Sequence, residues 1–271
     1  MNSKRLKIGI IGCGTIGREI ARACQDKLYD KVDLVALCDI DEKKAAILMG
    51  LLKKVSVLKL DELIKKAGLV VEAASANICA DIVRRCIKGK KDCMVMSVGG
   101  LIGNEKLLKA AGAKGVKIYI PSGAICGLDG LKAAAIGKID AVTLTTRKPP
   151  KGLAGAPYLT ARGIDVFSVN EETVIFEGNV TEAVKGFPQN INVSAVLSLA
   201  GIGAGKTRVK IVTSPDYTAN IHELEITGEC GRIKTSTDNV PSHANPKTSR
   251  LAIMSAIATL ESIVSAVRIG T

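Results

Sequence analysis

Only two histidines, His222 and His243, occur in the 271 residues, and aromatic residues make up 3%. So few rings leave little on which nucleic-acid bases could stack. The eight cysteines, at 13, 24, 38, 79, 86, 93, 126 and 230, include no CxxC pair. Neither a zinc knuckle nor a disulfide framework is indicated, and no metal site is expected. Most of the cysteines are expected to be small buried hydrophobes in a reducing compartment. No apolar run reaches the roughly 18–20 residues that span a bilayer. The basic start "MNSKRLKIGIIG" runs straight into a strand and a glycine turn, where a cleavable signal would need small residues. A cytoplasmic location is expected.

What is present is ordinary for a globular chain. Hydrophobic residues make up 47% and charged residues 24%, with length for one large domain or two modest ones. The formal charge of +12 comes from lysines scattered over helices and turns. That distribution fits a solvated surface first, attraction of anionic small molecules second, and nucleic acid last. The expected partner is a small molecule, not nucleic acid or a membrane.

Up to about residue 145, short apolar runs alternate with helical stretches. "KIGIIG" (7–12), "DLVALCD" (33–39), "LVVEAAS" (69–75), "CMVMSVGG" (93–100) and "VKIYIPSG" (116–123) are near-continuous apolar strands. Such strands suit a parallel sheet covered on both faces. Between them lie segments of helical periodicity, with Asp41, Asp61 and Asn77 at N-cap or first-turn positions. This alternation predicts an α/β, doubly wound parallel Rossmann sheet. Beyond about 140 the texture changes to strands, a "GECG" hairpin turn at 228–231, and helices. A second α+β domain with a mostly antiparallel sheet is expected. The last segment, "NPKTSRLAIMSAIATLESIVSAVRI", reads as one long helix with Pro246 near its start, packing back on the first domain. The expected division is 1–120 plus the 246–271 helix for dinucleotide binding, and 121–245 for substrate and catalysis.

Gly12-Cys13-Gly14-Thr15-Ile16-Gly17 is G-x-G-x-x-G, placed after an apolar strand and opening a helix. The first glycine permits the tight turn and the second lets backbone approach a pyrophosphate. The third allows close helix–strand packing, while the helix N-terminus faces the negative charge. Asp39 follows 22 residues past Gly17, where a carboxylate would accept hydrogen bonds from an adenosine ribose. Ala74 and Ser75, closing "LVVEAAS", complete the cofactor-contact candidates with Thr15 and Ile16. The bland alternative is a capped turn with no ligand. Asp39 favours NAD, but Lys43 and Lys44 lie close by, so NADP stays open.

Two further motifs compete for chemistry. "AGIGAGKT" (200–207) matches a relaxed phosphate loop, but a helical run precedes it and a strand follows, the reverse of what such a loop needs. It reads as a helix-to-strand turn. Cys126, in "PSGAICGLDG", falls between a strand and a helix, a place that lowers a thiol pKa. That resembles the phosphorylating aldehyde dehydrogenases, although their "SCTTNC"-like signature is missing.

With "VVEAAS", "SVGGL" and "PSGAICGLDGLKAA" in place, the chain resembles the L-aspartate dehydrogenases of archaeal–bacterial type. The resemblance continues through "TRKPP", "FEGNVTEAVKGFPQNINVSA", "NIHELEITGECG" and "NPKTSRLA", so it covers nearly the whole length. It implies NAD(P)-dependent oxidation of L-aspartate to iminoaspartate, which hydrolyses to oxaloacetate and ammonia or feeds quinolinate and NAD synthesis. It also implies a homodimer, a catalytic histidine at His222, and cofactor contacts at Ala124 and Asn190. Cys126 stands where the family motif commonly has glycine. In an extended strand His222 shares a face with Leu224 and Ile226, so it points inward whether it is catalytic or a satisfied core residue. Substrate-carboxylate candidates are Ser242, His243, Asn245, Lys247, Thr248 and Ser249 in "SHANPKTS", a stretch that also fits an ordinary N-cap and turn. A non-enzymatic NAD-binding redox sensor remains the alternative from another class. Homoserine-dehydrogenase-like and dihydrodipicolinate-reductase-like enzymes share the architecture, but their own catalytic motifs are not intact here.

Overall fold

A computed structural model of the chain describes residues 5–188, 191–242 and 244–270, with Pro246 and Lys247 described by their backbone alone. The chain divides into two units. One runs to Pro121 and includes Ile253–Arg268; the other is formed mainly by Ser122–Ala252.

In chain order the first unit has β1 (Leu6–Ile11), α1 (Thr15–Asp26), β2 (Val32–Cys38), α2 (Glu42–Gly50), β3 (Ser56–Val57) and α3 (Leu60–Lys66). It continues with β4 (Leu69–Glu72), α4 (Ala76–Lys88), β5 (Asp92–Val95), α5 (Lys106–Ala113) and β6 (Ile118–Tyr119). The strands form one sheet in the order β3-β2-β1-β4-β5-β6, and every neighbouring pair is parallel. Their apolar runs are continuous because helices cover both faces; Ile8, Ile10, Val70, Val71 and Met94 are all 0% exposed. The chain leaves β1 toward β2 and β3, then crosses to β4 on the other side. That reversal opens a crevice beyond the carboxyl ends of β1 and β4. Asp41 caps α2 by accepting from the amides of Lys43 and Lys44. The edge strand β6 is only two residues long, and Pro121 just beyond it has no amide to extend a ladder.

The second unit has α6 (Leu128–Ala134), β7 (Ile139–Lys148), α7 (Pro157–Arg162), β8 (Thr173–Asn179), α8 (Val180–Gly186) and α9 (Asn192–Ala200). Then come β9 (Arg208–Thr213), β10 (Asn220–Gly228), β11 (Gly231–Asn239), the short hairpin β12 (Pro241–Ser242) and β13 (Asn245–Ser249), and α10 (Arg250–Val264). Its sheet runs β11-β10-β7-β9-β8, antiparallel throughout except for the parallel pair β7 and β9. Leu131 of α6 and Leu197 of α9 pack on the inward residues Val142, Leu144, Leu224 and Ile226. The "AGIGAGKT" segment joins α9 to β9, and the carbonyls of Ala204 and Thr207 accept from the Val180 amide. It is a connecting turn.

One expectation is corrected. The terminal helix spans Arg250–Val264, not 246–271: Asn245–Ser249 is a strand, and residues 265–270 are not helical. Pro241 pairs with Ser249 and Ser242 with Asn245, which engages backbone that a helix would need. Pro246 restricts the residue before it to extended geometry, and β-branched Thr248 favours it. From Ile253 onward α10 belongs to the first unit, where Ala256 and Leu260, both 0% exposed, join Ile10, Leu34 and Leu48 in the core. No helix among the described residues is long and apolar enough to cross a membrane.

Leu260→Ala should therefore cost about 2–5 kcal/mol of stability, the usual cost of emptying a buried leucine site. Denaturant unfolding measures it; a change near zero would remove α10 from the core.

Candidate active site

In the first unit three strand ends meet. Gly12 follows β1 with φ +97°, and a Cβ there would lie 2.3 Å from the Ala73 carbonyl oxygen after β4. A Cβ on Gly17 would lie 1.8 Å from the Gly12 carbonyl oxygen. These two glycines are required by the protein's own packing. Gly14 is different: its φ is −69°, and a Cβ there would meet nothing within 4 Å. Nothing among the described residues demands glycine at that position, whereas a ligand lying against the backbone would.

The start of α1 also suits an anion. Gly14 is its N-cap without a side-chain cap, and no acidic residue stands in its first turn. The buried Nε of Arg18, just past the loop, has no hydrogen-bond partner among the described residues. Open space at Gly14, uncapped amides and an orphaned guanidinium nitrogen all fit a bound pyrophosphate.

Asp39, directly after β2, accepts from the Cys13 amide at 2.6 Å and the Asp41 amide at 2.8 Å. It latches the glycine loop to the end of the neighbouring strand. Burial and then this carboxylate push the Cys13 thiol up to about 12, so it stays protonated. Glu72, fully buried at the end of β4, accepts from the amides of Ala74 at 2.8 Å and Ser97 at 2.9 Å. Burial raises its pKa, and those amides oppose the rise. Ala74 and Ser75 stand exposed in the turn that Glu72 holds. Gly12, Asp39 and Ala74 thus lie at the ends of β1, β2 and β4, with Ser75 next in the turn; Glu72 was missed, though an acid ending a doubly covered strand was the available signal.

In the second unit His222 lies on the inward face of β10, 5% exposed, opposite Thr146 of β7. Its Nδ1 is 3.0 Å from the Thr146 hydroxyl. Lys148, two residues on along β7 on the same inward face, is 6% exposed. Burial first, and the Lys148 charge second, push the imidazole pKa down to about 3. Burial brings the Lys148 ammonium down to about 8. At neutral pH the pair is therefore a neutral base beside a charged lysine. Sequence reading missed Thr146 and Lys148, although the alternation Val142, Leu144, Thr146, Lys148 was its signal.

The carbonyl of the buried Ala124 accepts from Asn239 Nδ2 at 3.0 Å, and Asn239 Oδ1 accepts from the Ser249 hydroxyl. Ala124 is thereby joined to the 241–249 hairpin, in which Ser242 is buried and Asn245 and Thr248 half-buried. Asn190 and His243 lie outside the described residues, and so does the Lys247 side chain. Cys126 is exposed, with its Sγ 3.2 Å from the Thr237 hydroxyl and 3.8 Å from the Ser236 carbonyl. A thiol nucleophile needs a base at hydrogen-bond range, and the Thr237 hydroxyl and Ser236 carbonyl that meet this Sγ are not bases for a thiol.

The fold and the glycine-loop cluster define an NAD(P)-dependent oxidoreductase with a separate α+β unit; residues 12–121 match a family model described as homoserine dehydrogenase, NAD binding domain. Residues 129–263 match the family described as aspartate dehydrogenase, C-terminal. The chain belongs to the aspartate dehydrogenase family, a family of amino-acid dehydrogenases. It is 47% identical to the L-aspartate dehydrogenase of Methanosarcina acetivorans, over 98% of this chain and 100% of that one. It is 40% identical to that of Bradyrhizobium diazoefficiens, over 99% and 95%. The crystal structure of an aspartate dehydrogenase from Thermotoga maritima matches with TM-score 0.77 at 26% identity, covering 98% of this chain and 100% of that chain. A protein of gentamicin A biosynthesis, crystallised with NAD, shares the fold alone: TM-score 0.55 and 18% identity, covering 98% and 87%.

A pKa near 3 has a direct consequence. In the protein without substrate His222 should show no titration between pH 5 and 8, and only the unfolded chain should take up its proton near 6.5. Stability from this group is complete above about 6.5 and falls as pH drops toward 3. NMR of labelled histidine in a His243→Gln variant reads it; a midpoint between pH 5 and 8 would contradict the burial argument.

Proposed function

We propose that this chain is an L-aspartate dehydrogenase using NAD or NADP, which converts L-aspartate to iminoaspartate that hydrolyses to oxaloacetate and ammonia. The observation that carries the reading is His222, a buried neutral imidazole set beside Lys148 on the inward face of the second unit's sheet. Membership of the aspartate dehydrogenase family supports the substrate. The working form is expected to be a homodimer, and the imine, if it escapes hydrolysis, is the species that feeds quinolinate synthesis.

Gly12, Gly14, Thr15, Ile16, Gly17, Asp39, Ala74 and Ser75 would hold the cofactor in the first unit, with Ala124 and Asn190 as further contacts. When bound, the nicotinamide supplies the two-electron acceptor for the hydrogen on the α-carbon. His222 does the proton work that follows. With Nδ1–H donated to the Thr146 hydroxyl, the Nε2 lone pair takes a proton from the water that attacks the imine carbon. The imidazolium so formed returns a proton to the departing amine. Ser242, His243, Asn245, Lys247 and Thr248 are candidates to hold substrate carboxylates.

The test is purified protein with NAD or NADP and a panel of L-amino acids, followed by reduced-nicotinamide absorbance. L-Aspartate should be the strongly preferred substrate; its failure to react would overturn the proposal.

Two variants separate the sites. Gly14→Val should abolish cofactor binding while leaving the melting temperature near native, because its side chain enters space that no protein atom fills. Normal cofactor affinity in this variant would remove the loop from the site. His222→Ala should lower kcat by at least ~10²-fold, within the usual range for a general acid–base residue, while cofactor affinity holds. Cys126→Ser should keep most activity; near-total loss, together with a thioester trapped on Cys126 of the native protein, would favour aldehyde dehydrogenase chemistry.

A further inference from the structure

The roles assigned so far leave Lys148 without a task. It ends β7 and is 6% exposed, and lysine is among the residues least often buried, because removing an ammonium from water is costly. It lies on the inward face two residues beyond Thr146, the strand partner and hydrogen-bond partner of His222. On its other side it stands opposite Thr213 of β9, a residue 0% exposed whose hydroxyl donates to the Lys148 carbonyl at 2.7 Å. Thr146, Thr213 and His222, its neighbours on β7, β9 and β10, are themselves polar and buried.

A buried amine on the inward face of the sheet, next to the base that works on the substrate, provides a cation with a fixed position for an anion to meet. We propose that the Lys148 ammonium, at the end of β7 beside His222, receives a carboxylate of the dicarboxylate substrate. The inference rests on the aspartate reading above and adds to it a residue that selects the substrate. A carboxylate oxygen accepting from Nζ would make a charge-assisted hydrogen bond in a place where water screens little.

The same contact couples binding to chemistry. In the empty protein the lysine charge helps to hold His222 unprotonated. A bound carboxylate cancels that charge, so the imidazole becomes a stronger base only when substrate is in place. The base is thereby protected from protonation while it waits.

Succinate keeps both carboxylates and lacks the amine, so it probes the anchor without turnover. Calorimetric titration of succinate into cofactor-saturated protein should give a Kd about 10- to 100-fold weaker in Lys148→Met than in native protein, the loss expected for one hydrogen bond to a charged group. Lys148→Arg, which keeps the charge, should recover much of the affinity. KM for L-aspartate should rise in Lys148→Met by a similar factor and kcat change less, with cofactor affinity unchanged. Thermal melting checks the fold, and methionine in place of a buried ammonium should leave it intact or more stable. Equal succinate affinity in native and Lys148→Met protein, or no succinate binding at all, would overturn the anchor. If native protein ignores L-aspartate yet binds succinate through Lys148, the aspartate reading falls and the carboxylate anchor stands.

Discussion

The register of β7 against β10 is the constraint on which the second unit's chemistry depends. His222 sits opposite Thr146, Leu224 opposite Leu144, and Ile226 opposite Val142. A slip of one residue would send His222 outward and bring Glu223 and Glu225 onto the core face. Leu224 is 2% exposed and Ile226 0%, so that slip would cost the burial of two large side chains. On the outer face Arg147 reaches Glu223 at 3.2 Å and Glu172 at 2.8 Å, but these pairs are partly exposed and contribute little. The apolar pairs farther along the strands therefore hold the polar residues at their ends. Site geometry here is a consequence of core packing.

The first unit divides its labour differently. Its G-x-G-x-x-G motif contains two glycines required by packing and one that the packing of the described residues does not require. Gly12 and Gly17 are fixed by contacts of 2.3 and 1.8 Å that any Cβ would make with backbone oxygens. Gly14 answers to neither sterics nor dihedral angle. Asp39 and Glu72 then tie this loop and its neighbour to the ends of β2 and β5 through backbone amides. The loops at the strand reversal are held by two carboxylates, a half-buried Asp39 and a buried Glu72, before any ligand arrives.

The α/β architecture was legible because a sheet covered on both faces writes itself as unbroken apolar runs, while helices between them keep a different period. The inward direction of His222 was legible for a related reason: a strand with one buried face alternates. Other features were not. The parallel pairing of β7 with β9 leaves no local trace, since it joins residues 60 or more apart. The start of α10 was misread because Asn245–Ser249 pairs with β12, a tertiary event that a helical-looking composition does not exclude. Lys148 was missed because a lysine before two prolines resembles the solvated end of a strand. The alternation of β7 hints at the inward face, and its neighbours on β9 and β10 show Lys148 to be inside.

Why a fold would keep Lys148 and His222 together follows from their titration. Two like charges on one buried face cannot both persist, and the group with the higher affinity for protons keeps its charge. Lys148, lowered from an ordinary 10.5 to about 8, remains charged at neutral pH; His222, lowered from 6.5 to about 3, does not. Both pKa values are lower folded than unfolded, so both groups weaken the fold as pH falls: Lys148 between about 10.5 and 8, and His222 between about 6.5 and 3. At neutral pH only the lysine exacts a cost, and apolar residues at the same positions would pack without it. Sites where a chain departs from its own buried–exposed pattern at a loss of stability are where function is expected. A cation held in place beside an unprotonated base can bind an acid and can deprotonate water, and a well-packed pair of leucines can do neither.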